Sequence, residues 1–481
     1  MKNEIKKYEQ KAKLLEPNTD ERKILTNMVM NYSEEFLNNI NSSLTYKETE
    51  DKGAGIYDFD ISDEPTNPDI ILNAVKEHID KPGINPASGG HMAYIPGGGI
   101  FYSALGDWLA AIINKYAGVF FAAPGAVRLE NMLLRWIGSI AGYPSDAAGN
   151  LTSGGSIGNL IGIVAARDAK ELNAIYFPKA VIYLTSHAHH SIRKSLRIAG
   201  LYDCIVREID MDEGFRMIPG KLESAIFKDQ KAGLIPFLAI SSAGTTDTGA
   251  IDPLSDIGDI CFQNKIWHHI DGAYGAFFKL SDLVADNLQG MEKSDSIVMD
   301  PHKGLFLPYG SGSVLVKNSE YLYNSFRHTA NYMQDADLHK DEMSPNDLSP
   351  EMSKHFRALR LWLPLKLAGV SAFKAAINEK VLLARYFYEN IQKIDGFEVG
   401  AYPELSIVTY RYVPDKGDAD EFNKRLISEI LKDGRILLSS TILNGKFTLR
   451  LVSMHLRTHL PQIELALELL KEKSEYIRNN F

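Results

Sequence analysis

Short apolar runs alternate with helical segments between residues 100 and 370, and this alternation constrains the fold more than any other feature of the chain. Five runs predict strands: AVIYL (180–184), IPFLAIS (235–241), IWHHI (266–270), SIVM (296–299) and GSVLV (312–316). Helical patterns lie among them, at 159–172, 191–200, 220–229 and 253–264. Near-continuous apolar strands separated by helices are typical of an α/β protein with a mostly parallel sheet covered on both faces. Ligands of such sheets bind beyond the carboxyl ends of the strands.

The segments on either side follow other patterns. Residues 1–90 consist of helical patterns and polar connections, and TDERKILTNMVMNYSEEFLNNI (19–40) predicts a helix that begins at a Thr/Asp cap. After residue 370, a strand pattern and a helix pattern lead to a predicted hairpin with an Asn-Gly turn and then to a last amphipathic helix. We therefore predict three units: an N-terminal helical segment (1–90), a large domain (91–370) and a small α+β domain (371–481).

Composition narrows the classes of partner. The formal net charge is −9 and no long run carries a single sign, which argues against nucleic acid or an anionic membrane as the main partner. The cysteines are Cys204 and Cys261, too few for a disulfide framework, so a cytoplasmic location is expected. The N-terminus is charged throughout, and no apolar run approaches the roughly 18 residues of a membrane-spanning helix. We expect neither a secretory signal nor a membrane anchor.

Two charged residues follow predicted strands. Lys303 comes after SIVM in the segment DPHK, and Asp271 ends the run IWHHI. An isolated loop lysine is usually solvated, and an aspartate at a strand end often caps the next turn. A carboxylate that is buried there must instead be met by a cation or by hydrogen-bond donors. The two residues together therefore indicate a site at the carboxyl edge of the sheet.

The segment TSGGSIGN (152–159) lies directly before a helical pattern. Gly154 and Gly155 allow a ligand to approach the backbone closely, and the helix-start N–H groups and the Ser156 hydroxyl could hold a phosphate. Gly-Gly turns before helices are common, so this segment alone is a weak indication.

Histidines occur in two groups, SHAHHSIRKS (186–195) and WHHID (267–271), so a metal site has to be considered. No Cys or Glu cluster accompanies them, and adjacent histidines on a strand point to opposite faces. We therefore expect no metal. Pyridoxal phosphate (PLP) accounts for these features together, because it needs a lysine, an acid at its pyridine nitrogen, a phosphate cradle and a flat group over its ring. Lys303, Asp271, Gly155 with Ser156, and His189 fill these four roles.

Several motifs carry a resemblance to a known family. The chain resembles the PLP-dependent amino-acid decarboxylases that include the aromatic L-amino-acid, tryptophan, tyrosine, histidine and glutamate decarboxylases. The matching segments run in order over roughly residues 85–370 and are TSGGSIGNL, AHHSIRKSLRIAG, SSAGTTDTGAID, HIDGAYGA, DPHK and FRALRLWLPLKLAG. The C-terminal TILNGKFTLRLVSMH is also similar. The resemblance implies an aspartate-aminotransferase-like fold with a mostly parallel seven-stranded sheet.

The resemblance also implies roles for individual residues. Lys303 would carry the cofactor, Asp271 would pair with its ring nitrogen, and His189 would stack on the ring near the departing carboxylate. The other cofactor-binding residues implied are Gly155, Ser156, Thr246, Ala273, Asp300 and His302. Members of the family are interlocked homodimers with the active site at the interface, so a homodimer is expected, with residues 1–90 packed on the partner subunit.

Two departures from the family pattern stand out. Asp300 replaces the asparagine that often precedes the PHK motif, and it brings a negative charge close to a phosphate. The segment YIPGGGI (94–100) replaces a YFPTASS pattern, which removes a hydroxyl near the substrate and leaves the Gly97–Gly99 triplet.

The reaction implied is loss of CO₂ from an L-amino acid. The candidate substrate-pocket residues are Tyr94, Ile95, Tyr116, Phe120 and Phe121. They suit tryptophan, tyrosine or phenylalanine, although such an aromatic stripe is more often part of a core. No basic residue is evidently aimed at an acidic substrate, Arg128 included. The alternatives are an acidic or diamino-acid decarboxylase, an aldehyde-forming decarboxylase, a PLP-dependent carbon–carbon lyase and a metal-dependent hydrolase.

A further candidate is Tyr332, within the polar segment 324–351. Long polar segments of this kind are often lids. In related decarboxylases a tyrosine follows a Phe-Arg pair at this spacing, and Phe326 and Arg327 precede Tyr332 in the same way. The resemblance implies that Tyr332 donates the proton that completes amine formation, whereas phenylalanine at this position accompanies aldehyde-forming enzymes.

Overall fold

The computed structural model describes residues 1–328 and 341–480. The helices in these ranges are α1 (Lys2–Ala12), α2 (Thr19–Asn39), α3 (Pro68–Ala74), α4 (Phe101–Ile113), α5 (Pro124–Ala141), α6 (Gly155–Ala169), α7 (His190–Ile198), α8 (Pro219–Lys231), α9 (Leu254–Gln263), α10 (Pro301–Gly304), α11 (Ser319–Phe326), α12 (Ala358–Ala368), α13 (Val370–Ile391), α14 (Ala419–Asp433) and α15 (Leu460–Arg478). The strands are β1 (Tyr46–Lys47), β2 (Gly83–Ile84), β3 (Ala148–Thr152), β4 (Ala180–Leu184), β5 (Ile205–Glu208), β6 (Ile235–Ser242), β7 (Trp267–Asp271), β8 (Ser296–Met299), β9 (Gly312–Val316), β10 (Phe397–Val399), β11 (Ile407–Tyr412), β12 (Ser439–Leu443) and β13 (Lys446–Val452). No described helix is both long and apolar enough to cross a membrane.

The large sheet, as far as the structure describes the chain, has seven strands in the order β3-β9-β8-β7-β6-β4-β5. Strand β9 pairs antiparallel with β3 and β8, and the other four pairings are parallel. Six strands therefore point the same way, and their carboxyl ends lie along one edge. The predicted mostly parallel seven-stranded sheet is confirmed.

The predicted strands agree closely with the observed ones. Strands β4, β8 and β9 have the predicted bounds, β6 is one residue longer at its end, and β7 is shifted by one residue at both ends. Strands β3 and β5 were not among the predicted runs, because AGNLT and IVRE are short and partly polar. Helix α2 is capped by Asn18, one residue before the predicted Thr/Asp cap, since Asn18 and Glu21 form a reciprocal capping box.

The C-terminal region has the predicted α+β character. Strands β10, β11, β13 and β12 form an antiparallel sheet in that order, packed with α13, α14 and α15 around their own apolar core. Asn444 and Gly445 join β12 to β13, and both have positive φ angles, as a type I′ hairpin turn requires. The domain boundaries at residues 90 and 370 stay predictions.

Helix α6 positions the Gly155 end of the functional site. It packs on β7, β8 and β9, and its buried residues Ile161 and Ala165 belong to the same apolar cluster as Val298 and Val314. This packing holds the first turn of α6 at the edge where β7 and β8 end. The structure begins the helix at Gly155, four residues before the predicted start at 159.

Candidate active site

A cavity of about 220 Å³ lies at the carboxyl edge of the large sheet. The segments that follow β3, β4, β6, β7 and β8 line it, because these strands all end at that edge. The lining residues are Ser153, Gly154, Gly155, Ser156, Ile157, Asn159, His187, His189, Ser191, Ser242, Gly244, Thr245, Thr246, Asp271, Ala273, Tyr274, Asp300, His302 and Lys303. All nine predicted cofactor-binding residues are in this set.

Lys303 lies in the short helix α10, directly after β8. Its Nζ is 3.4 Å from Asp300 Oδ2, about a fifth of its side chain is exposed, and the residue lines the cavity. A lysine amine in this position is reachable by a ligand that enters the cavity. The neighbouring His302 is held in place by its Nδ1, which lies 2.7 Å from the Ser311 carbonyl oxygen.

The segment Gly154–Ser156 forms a tight cradle at the start of α6. Gly154 has a φ of +154°, which L residues rarely adopt. A Cβ on Gly155 would lie 2.9 Å from Asp300 Oδ2 and 3.0 Å from the Cβ of Ala273, so a larger residue would crowd the site. The N–H groups of a helix start attract an anion such as a phosphate.

Asp300 lies behind this cradle. Its Oδ2 accepts a hydrogen bond of 3.0 Å from the Gly155 N–H and lies 3.7 Å from His302 Nε2. Its Oδ1 is buried and makes no hydrogen bond within the described ranges. The carboxylate therefore already interacts with a backbone donor at the predicted phosphate position and lies close to the His302 ring.

Asp271 ends β7 as predicted and is 8% exposed. Its Oδ2 accepts a hydrogen bond from Asn159 Nδ2 at 3.0 Å, and its Oδ1 accepts one from the Ala273 N–H at 3.2 Å. These donors compensate the burial of the carboxylate. The predicted site did not include Asn159, although it closes the quoted motif TSGGSIGN one helical turn after Gly155. That spacing is a signal that could have identified it.

His189 caps the N-terminus of α7. Its Nδ1 is 2.8 Å from Ser191 Oγ and accepts a 3.3 Å hydrogen bond from the Ser191 N–H. Burial is the main cause that lowers the pKa of His189, so the ring is neutral near pH 7.

The histidines of WHHID have internal partners. His268 Nε2 is 2.7 Å from Ser241 Oγ, and His269 contacts Asn159 and Ser296. Burial lowers the pKa of His268 to about 3 and that of His269 to about 4. Among the described residues, no group of three or more His, Cys, Asp or Glu side chains could hold a metal ion.

Thr246 reaches the cavity on the loop after β6. Its carbonyl oxygen accepts a hydrogen bond from the Arg450 guanidinium, and Arg450 Nε donates to the Asp247 carbonyl at 2.8 Å. A side chain of β13 therefore supports a loop that lines the cavity.

The five predicted substrate-pocket residues do not line this cavity within one chain. Ile95 and Phe120 are buried, whereas Tyr94, Tyr116 and Phe121 are exposed on the surface. Arg128 lies over the Phe120 ring at 5.3 Å and 3.3 Å from Asp341 Oδ2, outside the cavity. Tyr332 lies outside the described residues.

These groups fit PLP. A reachable lysine, a hydrogen-bonded carboxylate and a histidine surround the cavity, and a cradle that excludes a Cβ begins α6. Lys303 would hold the cofactor aldehyde, Asp271 the ring nitrogen, and Gly155 with Ser156 the phosphate. When bound, PLP acts as an electron sink for a bond to the substrate Cα.

Comparisons with known proteins identify the family of the chain. Residues 54–413 match the family model described as the pyridoxal-dependent decarboxylase conserved domain. The aromatic-L-amino-acid decarboxylase of Bacillus atrophaeus is 34% identical over 436 residues, with 85% of this chain and 90% of that protein covered. The phenylacetaldehyde synthase of Arabidopsis thaliana is 27% identical, with 86% of this chain and 88% of that protein covered.

A solved structure supports the fold. The crystal structure of Oryza sativa TDC with PLP and tryptamine has a TM-score of 0.90 at 22% identity, covering 96% of this chain and 99% of that chain. Fold, motifs and overall similarity agree, and the resemblance seen in the sequence is confirmed. The chain belongs to the pyridoxal-dependent decarboxylase family and is a PLP-dependent carboxy-lyase.

Proposed function

We propose that this enzyme decarboxylates an aromatic L-amino acid to the corresponding amine and CO₂. The observation that carries the proposal is the convergence of Lys303, Asp271 and His189 on one cavity. The 34% identity to a protein named aromatic-L-amino-acid decarboxylase favours an aromatic substrate.

Each residue has a distinct proposed task. The Lys303 amine would hold the cofactor aldehyde. Two hydrogen bonds hold the Asp271 carboxylate at the end of β7, where its negative charge would favour a proton on the ring nitrogen. His189 orients the substrate carboxylate.

A second subunit is part of the proposal. Helix α2 has no buried residue within one chain, and α4 exposes Trp108 at 50% and Ile112 at 66%. A mainly apolar groove of about 550 Å³ lies between α2 and α4. Contiguous apolar surface of this kind favours a protein interface. We infer a homodimer in which Tyr94, Tyr116 and Phe121, exposed in one chain, lie at the interface and complete the aromatic pocket.

The substitution Trp108→Glu should break this dimer, because a carboxylate would be buried in an apolar interface. Sedimentation velocity at micromolar concentration should show a wild-type dimer and a monomeric variant with little activity. The matched control is Phe262→Glu, since Phe262 is also exposed but lies on α9, away from the groove. A monomeric and fully active wild type would rule out the interface.

Assays of CO₂ and amine from each of the common L-amino acids test the substrate class. Tryptophan, tyrosine or phenylalanine should give the highest kcat/KM, with one amine per CO₂. Lys303→Ala is the inactive control, and borohydride reduction should fix the cofactor on Lys303 as seen by mass spectrometry. Turnover of only glutamate or a diamino acid would refute the aromatic assignment, and cofactor on another lysine would refute the role of Lys303.

We also propose that Tyr332 donates the proton that makes amine the product. Tyr332→Phe should slow amine formation about hundredfold, the typical effect of losing a general acid. Its reaction should shift to aldehyde, with one O₂ and one water consumed and CO₂, ammonia and H₂O₂ released. Tyr321→Phe, on α11, is the control. Wild-type amine formation without aldehyde in the Tyr332 variant would exclude this role.

Asp271→Asn should lower kcat about hundredfold or more, because the side chain keeps its shape but loses the charge that stabilises the protonated ring. Asp229→Asn is the matched control, since Asp229 is also buried and bonded, to Tyr183 and Arg207, but does not line the cavity. The control should change stability and leave kcat near that of the wild type. Near-normal kcat in the Asp271 variant would contradict the assignment.

A cytoplasmic location is proposed from the cysteines. Cys204 and Cys261 are both buried free thiols, as is usual in a reducing compartment. Recovery of the enzyme from a secreted fraction of its native cells would refute this location.

A further inference from the structure

Asn159 connects two groups of the active site that no backbone segment joins directly. It lies in the second turn of α6 and is 1% exposed. Its Nδ2 is 3.0 Å from Asp271 Oδ2 and 3.2 Å from Ser191 Oγ, and its Oδ1 is 2.9 Å from His269 Nε2. Ser191 in turn contacts His189.

The neighbours of Asn159 determine which way its amide points. The Asp271 carboxylate can only accept, so it requires the Nδ2 end. The opposite orientation would place two acceptor oxygens 3.0 Å apart. Oδ1 therefore faces His269, and His269 must carry its proton on Nε2.

The contact at His269 Nδ1 agrees with a proton on Nε2. The bare Nδ1 of the neutral ring accepts from the Ser296 hydroxyl at 2.7 Å. Ser296 Oγ accepts in turn from the Trp267 indole N–H at 2.8 Å, and indole N–H is only a donor. Burial keeps the His269 ring neutral by lowering its pKa to about 4. Every donor and acceptor in this branch is satisfied.

The second N–H of Asn159 influences which ring nitrogen of His189 carries the proton. It donates to Ser191 Oγ, which leaves the Ser191 hydroxyl proton free to donate to His189 Nδ1 at 2.8 Å. The Ser191 backbone N–H donates to the same nitrogen at 3.3 Å. Two donors on Nδ1 require that a neutral His189 ring carries its proton on Nε2.

We propose that Asn159 is a positioning residue that fixes His189 as the Nε2–H tautomer and, through its other N–H, holds the Asp271 carboxylate in place. His189 then offers a hydrogen-bond donor to a substrate carboxylate from the ring edge that Ser191 does not use. This inference rests on the proposed roles of Asp271 and His189, and it does not depend on which amino acid is the substrate.

The tautomer can be measured without cofactor or substrate. Long-range ¹H–¹⁵N correlation spectra of the cofactor-free protein, labelled with ¹⁵N-histidine, distinguish protonated from bare ring nitrogens. The His189 signals are those missing from a His189→Gln spectrum. We expect the wild-type ring to be protonated on Nε2.

Two variants distinguish the contact of Asn159 with Ser191 from its contact with Asp271. Ser191→Ala removes one donor to His189 and leaves the Asp271 contact intact. Asn159→Ala removes the donors to Asp271 Oδ2 and to Ser191 Oγ, so the Ser191 hydroxyl can accept from His189 instead of donating to it. Each should raise the proportion of the Nδ1–H tautomer about fivefold, the typical effect of one hydrogen bond. Only Asn159→Ala should weaken PLP binding, by about tenfold in equilibrium dialysis, because Asp271 loses a hydrogen bond to a charged group. If Asn159→Ala does not fold, Asn159→Asp keeps the side-chain size and has no amide N–H.

Asn423→Ala is the matched control for the loss of a buried amide. Asn423 is fully buried and bonded to Tyr412 and Ala419 in the small domain. It should lower the Tm but leave the His189 tautomer and the PLP affinity unchanged. A wild-type ring protonated on Nδ1, or folded Asn159 and Ser191 variants with the wild-type tautomer, would overturn the inference. The expected tautomers in an enzyme that turns over no aromatic amino acid would refute only the proposed substrate.

Discussion

Six strands of the large sheet run in one direction, so the chain reversals that follow their carboxyl ends meet at one edge. Strands such as β4 and β8 are buried along their whole length and are almost entirely apolar. Polar and charged side chains therefore lie at the strand ends, where their desolvation costs the least free energy. Lys303 and Asp271 follow neighbouring strands, and His189 follows β4. The site is thus a consequence of strand direction combined with local sequence.

The parts of this arrangement that the sequence predicts are those with a strong local signal. Continuous apolar runs such as 180–184 gave correct strand bounds, and Lys303 and Asp271 stand where such runs end. The spacing of Asn159 from Gly155 could place it near the cradle, but its contacts with three partners from β7 and α7 arise only when the fold brings them together. Long-range hydrogen bonds of this kind cannot be read from spacing along one segment.

Strand β3 is a second element that the local sequence pattern did not predict. Its sequence AGNLT has little apolar content, yet it forms an edge strand of the large sheet and leads directly into the cradle of α6. Buried polar contacts hold it there. Lys354 Nζ lies 2.6 Å from Glu130 Oε1 and 2.7 Å from Asn150 Oδ1, and Glu130 also accepts from the Leu151 N–H. Helix α5, strand β3 and the segment before α12 are thereby joined, and the loss of either charge would leave the other buried without a partner.

The predicted substrate pocket stays a prediction, because the same aromatic residue types serve different purposes in a fold. Ile95 and Phe120 are part of the buried interior, whereas Tyr94, Tyr116 and Phe121 are exposed in one chain. An aromatic run in a sequence shows that the segment is apolar. It does not show whether the side chains contact the core, a ligand or a second subunit.

Asp300 places a negative charge beside the cradle, at a position where asparagine often precedes the PHK motif. Its carboxylate accepts the Gly155 N–H and lies 3.4 Å from Lys303 Nζ, while its other oxygen is buried against Gly312, where an added Cβ would lie only 2.7 Å away. A phosphate entering the cradle would meet this negative charge and compete with it for the same donor. A direct contact between Asp300 and phosphate is therefore unfavourable unless they share a proton. The carboxylate is better suited to bracing the Gly154–Ser156 segment from behind, which leaves the Ser156 hydroxyl and the remaining α6 N–H groups to face the cofactor.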